Sequence, residues 1–158
     1  MSYLLDTNIF IRSKNEMPMD IYQSFWQKLA ELAQEGKFFS SVKVKDEIEK
    51  GNDELGQWCD ENLPEGFFIP FEADIEYTRL MQWAYNHTIF SAAAKQEFAT
   101  VADAFLVATA CAKNMKVVTF EKSDPNCKKR VLIPDACLAL GVDYCSLNDM
   151  LHELGVTI

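Results

Sequence analysis

The sequence contains no apolar run approaching the roughly 20 residues that a bilayer-spanning helix needs. Its first apolar stretch stops at Asp6, where the hydrophobic segment of a signal peptide would continue. The expectation is a soluble, cytoplasmic protein with no membrane partner. Histidine is scarce: His87 and His152 are the only two, and both fall in helical segments without spacing to an acidic site, so they are read as surface or packing residues. The five cysteines are odd in number and include no C-x-x-C pair, which argues against a disulfide framework or a thiolate metal site. Most lie inside apolar segments such as LVATACA and IPDACLALG and are read as buried, reduced thiols. Positive charge is also short, with 15 Lys and Arg against 24 Asp and Glu and a formal net charge of −9. That balance argues against a broad electrostatic grip on nucleic acid. It leaves room for an acidic metal site flanked by local basic groups such as Lys128, Lys129 and Arg130, although the same KKR run also reads as a solvated loop or strand edge.

What is present is alternation. With 158 residues the chain fits a single domain over 1–158, large enough for a real core. After the strand-like Tyr3-Leu4-Leu5, the residues Ile21, Phe25, Leu29 and Leu32 recur at helical spacing, with Asp20 placed to cap the helix and Gly36 to stop it. Residues 37–42 read as a second strand, VKDEIEKG as a short helix closed by Gly51, 54–62 as a helix, GFFIPF as an extended piece broken by Pro70, and 73–86 as a helix. TVADAFLVATACAKNMKVVTFE reads as an alanine-rich helix apolar on most of its circumference, a turn at Lys113-Asn114, and a strand over 117–120. RVLIP is read as strand-like, DACLAL as helical up to Gly141, DYCSL as extended, and NDMLHEL as helical up to Gly155. Strand–helix alternation with continuous apolar strands predicts an α/β fold of three layers, α/β/α, around a mostly parallel central sheet. In such sheets ligands bind beyond the carboxyl ends of the strands, where strand order reverses.

Two acids stand at strand ends: Asp6 after the first strand and Glu121 directly after VVTF. Asp103 lies in the first turn of the alanine-rich helix, and Glu47 lies in the short helix after the second strand. Each has a plainer explanation. Asp6 can cap a helix starting near Ile9, Asp103 can form a T-x-x-D capping box with Thr100, Glu121 can be a loop acid, and Asp46 or Glu49 can take the place of Glu47. If the four converge, each pair at about 5 Å repels by roughly 3 kcal/mol at an effective dielectric near 20. Protonation or a divalent cation must relieve that repulsion, and hard oxygen donors favour Mg²⁺ or Mn²⁺ over zinc.

The blocks LLDTNIF, SVKVKDEIEKG, ADAFLVATACA and VVTFE, in this order over essentially the whole chain, resemble the PIN-domain family, which includes the VapC-type toxin ribonucleases. The resemblance implies a PIN-like domain that hydrolyses RNA with Mg²⁺ or Mn²⁺ as cofactor. By it, Asp6, Glu47, Asp103 and Glu121 are the catalytic acids, Asp6, Asp103 and Glu121 the metal ligands, and Asn8 and Thr119 their supporting polar residues. It further implies an antitoxin protein as partner and a homodimer. Two departures concern the metal: Glu121 stands where Asp is usual, and Ser123 where a further acid often follows, with Asp124 displaced by one. The segment over about 52–95 is longer and richer in aromatics than the compact toxins, and no role carries over to it; within it, residues 67–90 are read as core rather than as a pairing face.

Lys43, Lys45 and Lys122 lie near the acids in sequence, where they can steady a phosphate, although lysines in such places are more often plain surface charge. Two rival functions follow from the same features. One is a catalytically silent PIN-fold module that binds a basic protein through its acidic rim. The other is an aspartyl-phosphate phosphotransferase using Asp6, for which Thr7 and Asn8 stand where a second acid is wanted.

Overall fold

A computed structural model describes residues 2–158. The elements in chain order are β1 (Tyr3–Leu5), α1 (Thr7–Glu16), α2 (Gln23–Gln34), β2 (Phe38–Ser41), α3 (Val42–Lys50), α4 (Glu54–Asn62), β3 (Phe68–Ile69), α5 (Asp74–Asn86), α6 (Ala92–Thr100), α7 (Ala102–Lys113), β4 (Lys116–Val118), α8 (Ile133–Leu140), β5 (Tyr144–Cys145) and α9 (Leu147–Glu153). Among the described residues five strands form one sheet in the order β3-β2-β1-β4-β5, with every pairing parallel. The fold is α/β with three layers, as the alternation predicts. From β1 the chain builds outward to β2 and β3 on one side, and from β4 to β5 on the other. The strand order therefore reverses between β1 and β4, which is where such sheets open a crevice at their carboxyl edge.

β1 is buried along its whole length because both neighbours pair with it and helices cover both faces, so it reads Tyr-Leu-Leu without alternation. α7 is buried for the same reason: Ala104, Leu106, Val107 and Ala108 have no exposed surface. Its small alanines let the helix axis lie close to its neighbours. Asn114 ends α7 in the left-handed region at φ 53. Asn114→Ala is expected to cost about 1 kcal/mol while Asn114→Gly is neutral or stabilising, as read from the urea midpoint.

In the aromatic segment Phe67 and Phe90 are core, Trp58, Phe68, Tyr77 and Trp83 pack against it half-buried, and Tyr85 is exposed. Phe67, 1% exposed, sits at the centre of an edge-to-face cluster with Phe10, Phe38 and Phe68 at ring-centroid distances of 6.3, 5.7 and 5.0 Å. His87 is a packing residue, its ring 4.6 Å from Phe90 and 5.6 Å from Trp83. The cysteines are free thiols, and burial pushes Cys59 up to about 12 and raises Cys137 as well, so neither is a nucleophile near neutrality. Among the described residues no helix is long and apolar enough to cross a membrane.

Four expectations are corrected. Asp20 and Ile21 precede α2 rather than begin it: a turn at Pro18 accepts from the backbone N–H groups of Ile21 and Tyr22, leaving Ile21 exposed. RVLIP is no strand. Pro134 sits in the first turn of α8, where its missing N–H is harmless, and Val131 and Ile133 are buried without a ladder partner. α6 appears where the sequence reading assigns nothing, because Ala94 and Phe98 are its only buried residues and leave too faint a periodicity. β4 ends at Val118, in register with Leu5, so Thr119 and not Glu121 is the strand-end counterpart of Asp6.

Candidate functional site

Asp6 follows the central strand, with its backbone N–H bonded to Val118 O at 3.1 Å as the ladder continues for one more residue. It occupies the N-cap position of α1 without a hydrogen bond of full capping geometry, although the Asn8 N–H lies near enough to favour its charged form. Its carboxylate, on a residue only 2% exposed, accepts a hydrogen bond from the Thr119 hydroxyl at 3.2 Å. The same Thr119 oxygen accepts the backbone N–H of Glu121 at 3.1 Å. Thr119 thus ties the ends of β1 and β4 together across the point where strand order reverses.

Asp103 does not cap its helix. Val101 holds the N-cap position of α7, and Thr100 ends α6, with its hydroxyl donating back to Glu97 O at 3.0 Å. Released from capping, the Asp103 side chain, 14% exposed, joins the site. Glu47 projects from α3, where Ser41 caps the helix through the Lys43 N–H, and its Oε1 accepts from the Thr7 hydroxyl at 2.8 Å. Of the acids in KDEIEK, Glu47 is the one that reaches the cavity: Asp46 and Glu49 are exposed, and Glu49 pairs with Lys45 at 3.8 Å.

Asp6, Asn8, Glu47 and Asp103 line one cavity of about 280 Å³ at the carboxyl edge of the sheet. Glu97 of α6, which sequence reasoning did not place there, joins them, and so does Arg130 of the loop before α8, from the run read either as cations flanking the acids or as solvated loop. Arg130 Nη2 lies 3.0 Å from Glu121 Oε2 and 3.6 Å from Asp103 Oδ2. The KKR run therefore divides: Lys128 and Lys129 are solvated loop, while Arg130 is the cation of the site. Arg130 carried a faint signal as the only arginine of that run, whereas Glu97 had none, since α6 itself was illegible.

Glu121, which the resemblance makes a metal ligand, has a protein partner on each carboxylate oxygen. Its Oε1 accepts the Ile133 N–H at 2.9 Å and its Oε2 the Arg130 guanidinium, so both oxygens are engaged in fixing the start of α8. The Ser123 hydroxyl and the Asp124 backbone N–H donate to Asp135, and the Asp124 carboxylate accepts from the Asn126 N–H, away from the cavity. Lys43 and Lys45 rest over the Phe105 and Phe68 rings, and Lys122 is exposed on the other side of Glu121, so none of the three lines the cavity.

The electrostatics follow from burial and like charge. Desolvation, followed by the charges of Asp103 and Glu121, holds the Asp6 carboxyl well above the usual range. Desolvation again, followed by Glu121 and Glu47, pushes Asp103 up to about 7 against the opposing pull of Arg130. Among the described residues no three His, Cys, Asp or Glu side chains stand grouped tightly enough to hold a metal ion as they are. The donor set is nonetheless the kind that suits a hard cation: all carboxylate, largely desolvated and mutually repelling.

The solved structures similar in fold include VapBC2 from Rickettsia felis bound to a DNA fragment from their promoter, at 20% identity over 92% of this chain and 98% of that one, with a TM-score of 0.58. They also include FitAB bound to an IR36 DNA fragment, at 21% identity over 91% and 94% with a TM-score of 0.54. A third is FitAcB from Neisseria gonorrhoeae, at 20% identity over 90% and 95% with a TM-score of 0.52. The fold is PIN-like, as the resemblance of the sequence blocks implied. No curated protein matches the chain. One family covers nearly all of it, over residues 3–158, and the chain belongs to that family, DUF4411, described as a domain of unknown function.

Proposed function

We propose that the chain is a divalent-cation-dependent ribonuclease that hydrolyses RNA phosphodiester bonds, and that it is the toxin of a toxin–antitoxin pair. The observation that carries this reading is the meeting of Asp6, Glu47 and Asp103, from three distant elements, in one cavity at the carboxyl edge beside the reversal of strand order. The likeness in fold to VapBC2 and FitAB supports a protein partner for this chain.

In this proposal Asp6 and Asp103 would hold Mg²⁺ or Mn²⁺, which would supply the positive charge that phosphodiester hydrolysis needs as negative charge builds on phosphorus oxygens. The protein's own residues do the rest. Thr119 fixes the Asp6 carboxylate, and Thr7 fixes Glu47 through Oε1. Glu47 Oε2 would then take the proton from the attacking water as the water oxygen bonds to phosphorus and the bond from phosphorus to the ribose oxygen breaks, that oxygen taking a proton from solvent. Glu121 and Arg130 hold the loop before α8 against the cavity.

The test is cleavage of defined single-stranded RNAs in Mn²⁺. Wild type is expected to cleave, and Glu47→Gln to cut the rate by about 10²–10⁴, the usual range for a lost general base. A preparation that cleaves no RNA in Mn²⁺ would favour the second reading, a silent module, which draws on one observation: Arg130 already neutralises part of the acidic rim.

A further inference from the structure

An acidic cavity repels the phosphates it is meant to act on, so attraction for a strand has to come from its rim. Beside the cavity, at the same edge of the sheet, runs a second trough of about 410 Å³. Asn8, Ile11 and Arg130 form a wall common to both. The far side of the trough is made by Arg12, Asn15, Glu16 and Phe120, and Glu121 stands beside Arg130, so each arginine has a carboxylate next to it. The chain has three arginines, and two of them line this one trough, although the protein carries a net charge of −9. No lysine lines it.

The placement of Arg12 suits an anion. Its guanidinium carbon lies 4.9 Å from the centroid of the Phe120 ring, which steers the side chain over the trough. Its Nε is the atom that meets Glu16, at 2.8 Å, in a pair whose side chains are 53% and 58% exposed. Such solvated pairs are weak, and the two Nη groups stay available for a planar, two-pronged hold on phosphate oxygens. Arg130 adds a second guanidinium from the common wall: its Nη2 is engaged by Glu121 and lies near Asp103, which leaves its Nε and Nη1 for a phosphate.

We propose that this trough is a phosphate subsite for single-stranded RNA: a strand with one phosphodiester over Asp6 and Asp103 lays a neighbouring phosphate between Arg130 and Arg12, with the Asn8 and Asn15 amides beside the adjoining nucleotide. The register of the strand rests on the ribonuclease reading. Binding at the trough does not.

The test is fluorescence anisotropy of a labelled short oligouridylate in EDTA, where cleavage is suppressed, over a series of salt concentrations. Arg12→Gln and Arg130→Gln are each expected to weaken binding about tenfold and to lower the slope of log affinity against log salt by about 0.7, one phosphate contact on a single strand. Arg79→Gln, an exposed arginine on α5, is the matched control and is expected to bind as wild type does. Arg12→Gln is the decisive variant, because Arg12 touches none of the cavity acids and its exposed side chain is not needed for folding. The subsite is overturned if Arg12→Gln binds as tightly as Arg79→Gln with the same salt slope, or if wild type does not bind the oligonucleotide. Normal binding by Arg12→Gln, with wild-type cleavage abolished in Asp6→Asn, removes the subsite alone. Weakened binding by Arg12→Gln, with no cleavage by wild type in Mn²⁺, removes the ribonuclease reading and supports the trough as a strand-binding site.

Discussion

Asp6→Asn is expected to abolish RNA cleavage in Mn²⁺ while the cation-free protein melts at a higher temperature than wild type. Both effects have one origin. The Asp6 carboxyl is 2% exposed at the end of the central strand, and its charge is opposed by desolvation and by Asp103 and Glu121. Asparagine keeps the volume and still offers an oxygen to the Thr119 hydroxyl, so the packing of β1 against β4 is retained while the buried charge is gone. With that charge goes the main attraction for a divalent cation, and a loss of several kcal/mol of charge stabilisation in the transition state corresponds to a rate loss on the order of 10³. Stabilisation together with inactivity is a combination that damage to the fold cannot produce, since damage lowers both. RNA cleavage by Asp6→Asn at the wild-type rate would remove Asp6 from the chemistry, and melting below wild type in EDTA would mean that its charge is compensated better than the structure indicates. The aspartyl-phosphate rival separates in the same experiment, because it predicts phosphate incorporation by wild type and no dependence of RNA cleavage on Asp6.

The acids were legible where the chain itself enforces their position. Asp6 ends a strand whose burial allows no other polar residue, so a carboxylate there stands out against Tyr3, Leu4 and Leu5. Asp103 interrupts an otherwise apolar helix in its first turn and is conspicuous for the same reason. Glu121 was legible as an acid but not as a partner. Its distance from β4 depends on where the ladder stops, and its hydrogen bonds go to Ile133 and Arg130, in a loop whose path no local pattern encodes. Among the helices, α3, α4, α5 and α7 announced themselves by apolar periodicity and by Ser, Asp, Asn or Gly at their ends. α6 buries too little to do so, yet it supplies Glu97 and with Phe98 and Ala94 one side of the cavity. Val131 and Ile133 show the opposite error. With Leu132 they make a continuous apolar run that looks like a strand, but Val131 and Ile133 are buried without one, and Pro134 is the residue that should have turned the reading toward a helix start.

In the absence of divalent cation, stability is expected to fall as pH rises from about 5 to 8, the reverse of the behaviour that paired surface carboxylates confer. Asp103 is pushed up to about 7 by burial first and then by Glu121 and Glu47, with Arg130 pulling the other way, and Asp6 is raised in the same direction. In the unfolded chain an Asp releases its proton near pH 3.9. Between that value and about 7 the folded protein therefore binds more protons than the unfolded one, and stability declines with pH. The contribution is fully present below about pH 4 and is lost as pH rises through the folded value; for Asp103 it amounts to a few kcal/mol by pH 8. Asp53 acts with the opposite sign, since its Lys14 partner lowers it, but it is solvated and its effect is small. Asp103→Asn should flatten the decline and raise stability most at pH 8. Mn²⁺ should restore wild type at pH 8, by about 2.7 kcal/mol at a hundredfold excess over its dissociation constant, and much less at pH 5, where protons compete for the same oxygens. Urea unfolding in EDTA and in Mn²⁺ across this pH range measures all three effects. A wild-type midpoint that climbs from pH 5 to 8 in EDTA, or an Asp103→Asn profile parallel to wild type, would mean that the cavity carries no unrelieved negative charge and gives a cation no reason to bind.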